Sequence, residues 1–135
     1  MAAEFTLAVV APDREVVSTS AVSIVAPGVD GYFGVLAGHV PVVSALKPGI
    51  LEYLDSSNVR HHVYVGGGFV QVGKDSVTVL ADEARYAAEL DVAEAEKALE
   101  EARRQLRGED STMTEAEALM EFDRATARVK AARLK

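Results

Sequence analysis

The chain has 135 residues, 49% of them hydrophobic and 26% charged, which is enough for one domain, or one domain with an appendage, and too little for a large barrel enzyme. Cysteine and tryptophan are absent, which excludes a disulfide scaffold, a thiolate zinc site and a cysteine nucleophile. A formal net charge of −7 sets the chain against polyanions, so no nucleic acid is expected as a partner, and no direct attraction to an anionic membrane. No apolar run approaches the roughly 18 residues of a membrane-spanning helix. The first residues, Met1 to Glu4, have neither a basic nor an apolar leader region. The expectation is therefore no signal or transit peptide and a product kept in the cytosol.

Up to Arg85 the apolar residues alternate, as in Leu7, Val9 and then Val22, Ile24 and Ala26, the period of half-buried strands. All four prolines and nine of the ten glycines lie in this half. Pro12-Asp13, Pro27-Gly28, Pro48-Gly49, Asp55 to Asn58 and Gly73 to Ser76 supply turn chemistry. Seven to nine strands without an intervening helix predict an antiparallel sandwich or barrel. Gly28 to Pro41 carries four glycines at intervals of three or four, a tight loop suited to a sandwich corner or a partner-facing surface.

After Arg85 the period becomes helical. Val92, Ala95, Leu99, Ala102 and Leu106 predict a first helix, with Asp91 as N-cap and Gly108 as stop. Ser111, Thr112 and Thr114 offer alternative N-caps for a second, whose predicted seam is Ala116, Leu119, Phe122, Thr126 and Val129. Two such helices with a short link form an antiparallel hairpin, and its narrow, Ala-rich seams make it marginal unless it docks on the β half or on another protein. Residues 86–122 carry four basic and eleven acidic side chains, net −7, whereas residues 123–135 carry five basic and one acidic, net +4. This cationic end either complements the helix dipole or forms a docking face, with Arg124, Arg128 and Lys135 along one side.

Catalytic constellations are missing. Gly68 to Asp75 has the spacing of a phosphate loop until Asp75 replaces Ser or Thr. Its intervening residues alternate like a strand, so Gly73 to Ser76 reads as a hairpin turn and Gly66 to Gly68 as a bulge or close backbone approach. His61 and His62 are adjacent, point to opposite faces of a strand and cannot share a metal; with His39 they read as surface residues. Neither HExxH nor GxSxG is present. No catalytic residue, metal or cofactor is expected.

Three blocks carry a resemblance: GVLAGHVPVVSALKPG at residues 34–49, GGGFVQV at 66–72 and VTVLAD at 77–82. In this order the chain resembles the epsilon subunit of the bacterial F-type ATP synthase over residues 5–107. The resemblance implies an α+β fold, an antiparallel β-sandwich of about ten strands at residues 1–86 followed by a two-helix hairpin at 87–135. It implies a non-catalytic central-stalk rotor subunit coupling proton passage to ATP synthesis. Its partners would be the gamma subunit, the c-subunit ring and, with the hairpin extended, the catalytic beta and alpha subunits. It would sit on the cytoplasmic side of the bacterial inner membrane, associated only through the complex. Asp30, Tyr32 and His39 fall at the family's ring-facing positions, with Tyr32 where Glu is usual and Ala37 where Pro is usual. Arg124, Arg128, Lys130 and Arg133 are the candidates for inhibitory contacts with the catalytic head. Leu90 and Asp91 match the start of an ATP-binding motif found in some members. Glu94 replaces its phosphate-facing Arg and Arg85 stands where those members carry Glu, so ATP binding in that mode should be weak or absent. The alternatives are a stand-alone sandwich adaptor or a small nucleotide-binding protein using Gly68 to Asp75.

Overall fold

The computed structural model describes residues 3–109 and 112–134; Ser111 and Lys135, named above, lie outside them. Seven strands fill the first part: β1 (Phe5–Ala11), β2 (Arg14–Gly28), β3 (Gly31–Leu36), β4 (Val42–Asp55), β5 (Arg60–Val72), β6 (Ser76–Ala81) and β7 (Ala84–Tyr86). A 3-10 turn (Ala87–Glu89) leads to α1 (Val92–Leu106) and α2 (Glu115–Ala132). The sheet order is β1-β6-β5-β4-β2-β3, and β2 pairs back onto β1, which closes a flattened barrel with β3 and β7 outside the ring. The β1–β6 contact is parallel, while every other pair is antiparallel.

Seven strands is the low end of the seven to nine that the turn chemistry implies, and several run longer than it implies. Pro48-Gly49 does not end a strand; it lies inside β4, opposite Gly66 and Val65 of β5. Pro27-Gly28 closes β2, and its turn falls at Val29 and Asp30. Proline is tolerated there because the ladder is interrupted, with the β2–β4 register shifting between Val25 and Gly28. A long strand bent at such a point serves both layers, so the count of about ten segments and the seven observed describe one architecture.

Alternation holds inside the barrel. Leu7, Val9, Val17, Ile24, Val35, Leu51, Val63, Val65, Val70, Val77 and Val79 are buried in one apolar cluster, each contributing roughly 1.5–3 kcal/mol. At the end of the Gly66 to Gly68 run β5 comes up against the β6 backbone: a methyl on Gly68 would lie 2.1 Å from the Leu80 carbonyl oxygen.

A second, smaller cluster joins the hairpin to the outside of the sheet. It contains Tyr64, Ala87, Leu90, Ala95, Ala127, Val129, Ala131 and Ala132. The expected α2 seam is corrected here: Ala116 and Leu119 are exposed, and the buried residues are Ala118, Ala125, Ala127, Val129, Ala131 and Ala132. The helix buries two stripes because α1 covers one side and the sheet the other. A reading built on a single seam divides these alanines incorrectly.

Candidate functional site

The contact between hairpin and sandwich is where the charged residues converge. Arg124, Ala127, Arg128 and Ala131 share one face of α2 by helical spacing. On that face the Arg124 Nε donates to the Gly66 carbonyl at 2.9 Å, and its guanidinium lies 3.6 Å from the Asp82 carboxylate. The Arg128 guanidinium lies 3.1 Å from Glu83 Oε1 and 3.1 Å from Glu121 Oε1. It also sits over the ring of Tyr64, 5.6 Å from the centroid. Tyr64 is fully buried and donates its hydroxyl to the same Glu83 oxygen at 2.7 Å. Burial, reinforced by the Glu83 bond, pushes the Tyr64 hydroxyl far above the usual phenol range. Burial opposes the Arg128 charge, but the facing Tyr64, Glu83 and Glu121 oxygens outweigh it and fix the cation more firmly. The apolar part of this junction is largely alanine, at about 0.8 kcal/mol per buried methyl-sized group. The polar cluster therefore carries a large share of the attachment.

The other two cations expected to act on a partner are placed differently. Arg133 pairs with Glu96 of α1 and so ties the helices to each other. Lys130 is exposed and lines a cleft with Tyr32, Lys47, Ile50, Phe122 and Thr126.

Asp30, Tyr32 and His39 are not brought together. Asp30 and His39 flank opposite ends of β3, about 20 Å apart for a six-residue strand. Tyr32 turns toward β4, where its hydroxyl accepts from the Ile50 amide at 3.1 Å and Lys47 lies over its ring. The His39 loop is held by the Gly38 amide donating to the Lys74 carbonyl at 3.1 Å. Around it Leu36, Val40 and Val43 are exposed.

A wider apolar surface lies on the outer face of β4, β5 and β6, on the row formed by Ala45, Phe69 and Leu80. Phe69 is 57% exposed and Leu80 54%, an unusual placement for an aromatic and a leucine side by side. Sequence reading missed this face, although the parity was available: with Val70 and Val72 inside, Phe69 has to point out. Glu83 and Tyr64 were also missed, because no local motif marks residues whose partners are 45 and 64 positions away along the chain (Arg128 each).

Leu90 and Asp91 border a cleft of about 170 Å³ shared with Glu83, Arg85, Glu89, Glu94, Ala95, Ala98 and Arg128. Asp91 is an N-cap, accepting from the Glu94 amide at 2.9 Å. The Gly68 to Asp75 segment runs from β5 through a turn closed by Gly73 N donating to Ser76 O at 2.7 Å. It leads into β6 and not into a helix, so it lacks the phosphate-loop geometry. His61 and His62 do face opposite ways, but they are half-buried and paired. His61 stacks on Tyr53 and lies 2.8 Å from Asp55, and His62 lies 3.0 Å from Glu52. The bond from His61 and the amides of Val59 and Ser57 hold the Asp55 carboxyl below the usual carboxylate range. Among the described residues no group of three His, Asp or Glu could hold a metal.

The comparisons with known proteins cover both halves in order. The family model described as the ATP synthase delta/epsilon chain beta-sandwich domain matches residues 4–87, and that of the delta/epsilon chain long alpha-helix domain matches residues 88–133. The chain is similar to the ATP synthase epsilon chain of Moorella thermoacetica, 38% identical over 96% of this chain and 97% of that one. It is likewise similar to the epsilon chain of Anaeromyxobacter sp. strain K, 43% identical over 96% of this chain and 94% of that one. Its fold matches a chain in the cryo-EM structure of the Euglena gracilis mitochondrial ATP synthase, OSCP/F1/c-ring, with a TM-score of 0.82 at 27% identity over 100% of this chain and 84% of that chain. Two family models that together span nearly the whole sequence, in the order that the barrel and the hairpin occupy, establish that the chain belongs to the ATP synthase delta/epsilon chain family.

Proposed function

We propose that the chain is a non-catalytic central-stalk subunit of an F-type ATP synthase, working in a membrane-associated complex on the cytoplasmic face of the bacterial inner membrane. The observation that carries this reading is the full-length fold match to a chain of an F1/c-ring assembly. The barrel is the anchor. Its outward Phe69 and Leu80 suit a gamma subunit, and the exposed end around Leu36, His39 and Val40 suits the c-ring. Packed against a partner, an apolar row of this kind is stabilised by burial, whereas in the free chain it is left in water.

The hairpin is the regulatory part. Its attachment through α2 over an alanine-rich contact leaves it separable from a barrel with its own core. Arg124 and Arg128, freed from the barrel, would present two cations one turn apart to an acidic surface of the catalytic beta subunits. The cleft beside Leu90 and Asp91 is a poor nucleotide site: the carboxylates Glu83, Glu89, Asp91 and Glu94 outnumber the cations Arg85 and Arg128 in its lining, and it is smaller than the roughly 300–1,000 Å³ of ordinary ligand pockets. A triphosphate entering it would meet a net negative lining, and ATP sensing is not part of this reading.

The test is ATP hydrolysis by the cognate soluble catalytic sector stripped of this subunit, with either the full chain or a form ending at Ala88 added back. Binding by both, with slowed hydrolysis only by the full chain, makes residues 89–135 the brake. Binding by both with no slowing removes the brake, and binding by neither removes the subunit assignment.

A further inference from the structure

We infer that Tyr64, Glu83 and Arg128 form a latch that sets the equilibrium between a docked and a released hairpin. The inference rests on the proposed function only in treating the hairpin as a separable unit. It concerns the isolated chain and holds whether or not the hairpin inhibits hydrolysis.

The argument turns on which contacts survive release. Arg128 has two carboxylate partners at the same distance, Glu121 on its own helix and Glu83 on the segment between β6 and β7. The Glu121 pair travels with α2, so it contributes similarly in both states and largely cancels. The Glu83 contact exists only in the docked state. Glu83 also accepts from the buried Tyr64 hydroxyl, so one carboxylate satisfies two groups that α2 and β5 bring together. Removing its charge leaves a guanidinium whose side chain is only 17% exposed without its barrel-side counter-charge and gives the Tyr64 hydroxyl a neutral, weaker acceptor, and a buried cation stripped of one charged partner is strongly destabilising.

The remaining ties are weaker or indifferent to the barrel's side chains. Arg124 reaches a backbone carbonyl, which any residue supplies, and its other partner Asp82 is 60% exposed at 3.6 Å, where an ion pair is largely screened by water. The Arg133–Glu96 pair joins α1 to α2 and is kept when the hairpin leaves as a unit. The latch therefore has two barrel-side members, Glu83 and Tyr64, that can be changed without touching either helix.

The absence of cysteine from the sequence makes a direct measurement available. In the full chain, Ala127→Cys places a lone thiol on the barrel-facing stripe of α2, where the residue is buried. Its rate of modification by a thiol reagent follows the released fraction. In that background Glu83→Gln is expected to speed modification by about tenfold or more. Tyr64→Phe, which keeps the ring beneath Arg128 and removes only the hydroxyl, is expected to speed it by a few-fold, and less than additively when combined with Glu83→Gln. Glu121→Gln is expected to change it by less than about twofold. Thermal melting of each variant checks that the barrel stays folded; should Glu83→Gln fail that check, Tyr64→Phe against Glu121→Gln decides. Equal rates in the wild-type and Glu83→Gln backgrounds, or an equal effect of Glu121→Gln, overturn the latch. Faster modification in Glu83→Gln without deeper inhibition of hydrolysis leaves the latch standing and removes the brake.

Discussion

Replacing Gly68 by alanine tests the close approach on which the barrel's bend depends. The added methyl would lie 2.1 Å from the Leu80 carbonyl oxygen and 2.9 Å from the Ala81 Cα, both backbone atoms of the paired strand. A carbon and an oxygen sit comfortably at about 3.3 Å, so β5 and β6 would have to part by roughly 1 Å. The parting weakens one or two ladder hydrogen bonds at about 1 kcal/mol each. To this is added the strain of holding alanine at φ +134°, of order 1–3 kcal/mol. The sum is about 2–5 kcal/mol, a large fraction of the roughly 5–15 kcal/mol that holds such a domain together. Gly38 provides the control: its φ is +80° but nothing lies within 4 Å of its added methyl, so Gly38→Ala should cost only the conformational strain, about 1 kcal/mol. Urea unfolding of the full chain followed by far-UV circular dichroism gives both values. Equal losses for the two variants, or a loss below about 1.5 kcal/mol for Gly68→Ala, would refute the argument that the backbone clash adds to the conformational strain.

Two further outcomes follow from the polar groups. Burial, with the bond to Tyr86, raises the Tyr53 hydroxyl well above its ordinary pKa of 10.0, as burial and Glu83 raise Tyr64. An acid with a raised folded-state pKa contributes stability that is complete below the unfolded value and declines above it. Unfolding free energy should thus fall above about pH 10 by up to about 1.4 kcal/mol per pH unit for each tyrosine. Denaturation curves at several alkaline pH values should show a shallower fall in Tyr53→Phe and Tyr64→Phe, and slopes identical to the wild type would refute the assignment. At the start of α2 the Thr114 hydroxyl accepts from the Glu117 amide while the Glu117 carboxylate accepts from the Thr114 amide, which holds the Glu117 carboxyl below its usual range. Thr114→Ala should cost about 1 kcal/mol, seen as faster hydrogen exchange at Glu117 and Ala118 with the strand amides unchanged; uniform acceleration throughout the chain would place the effect elsewhere.

The same division between near and distant determinants runs through the whole molecule. The alternation of Leu7 and Val9 and of Val77 and Val79 marks strands because the pleat places every second side chain on one face, and this is local geometry. Asp91 as an N-cap and the Thr114–Glu117 box are likewise written within four residues of chain, and the change of period after Arg85 within the single stretch from Val92 to Leu106. The resemblance of residues 34–49, 66–72 and 77–82 to one family adds the architecture. Pro48-Gly49 was misread as a turn because proline and glycine punctuate chains locally, whereas a bent strand can absorb them where the ladder of its neighbour shifts. The α2 seam was misread because alanine suits either a buried or an exposed position, and only the presence of both α1 and the sheet decides which alanines are covered. The junction of Arg128 with Glu83 and Tyr64 was invisible for a different reason. A cation at the end of a helix looks the same in sequence whether it faces water, a partner or a carboxylate 45 positions earlier. The sequence by itself determined the two periods, the caps, the charge separation and the family. Tertiary structure alone decided which face of each element is buried and where the cations of α2 are satisfied, because those outcomes depend on atoms brought together by folding across long stretches of chain.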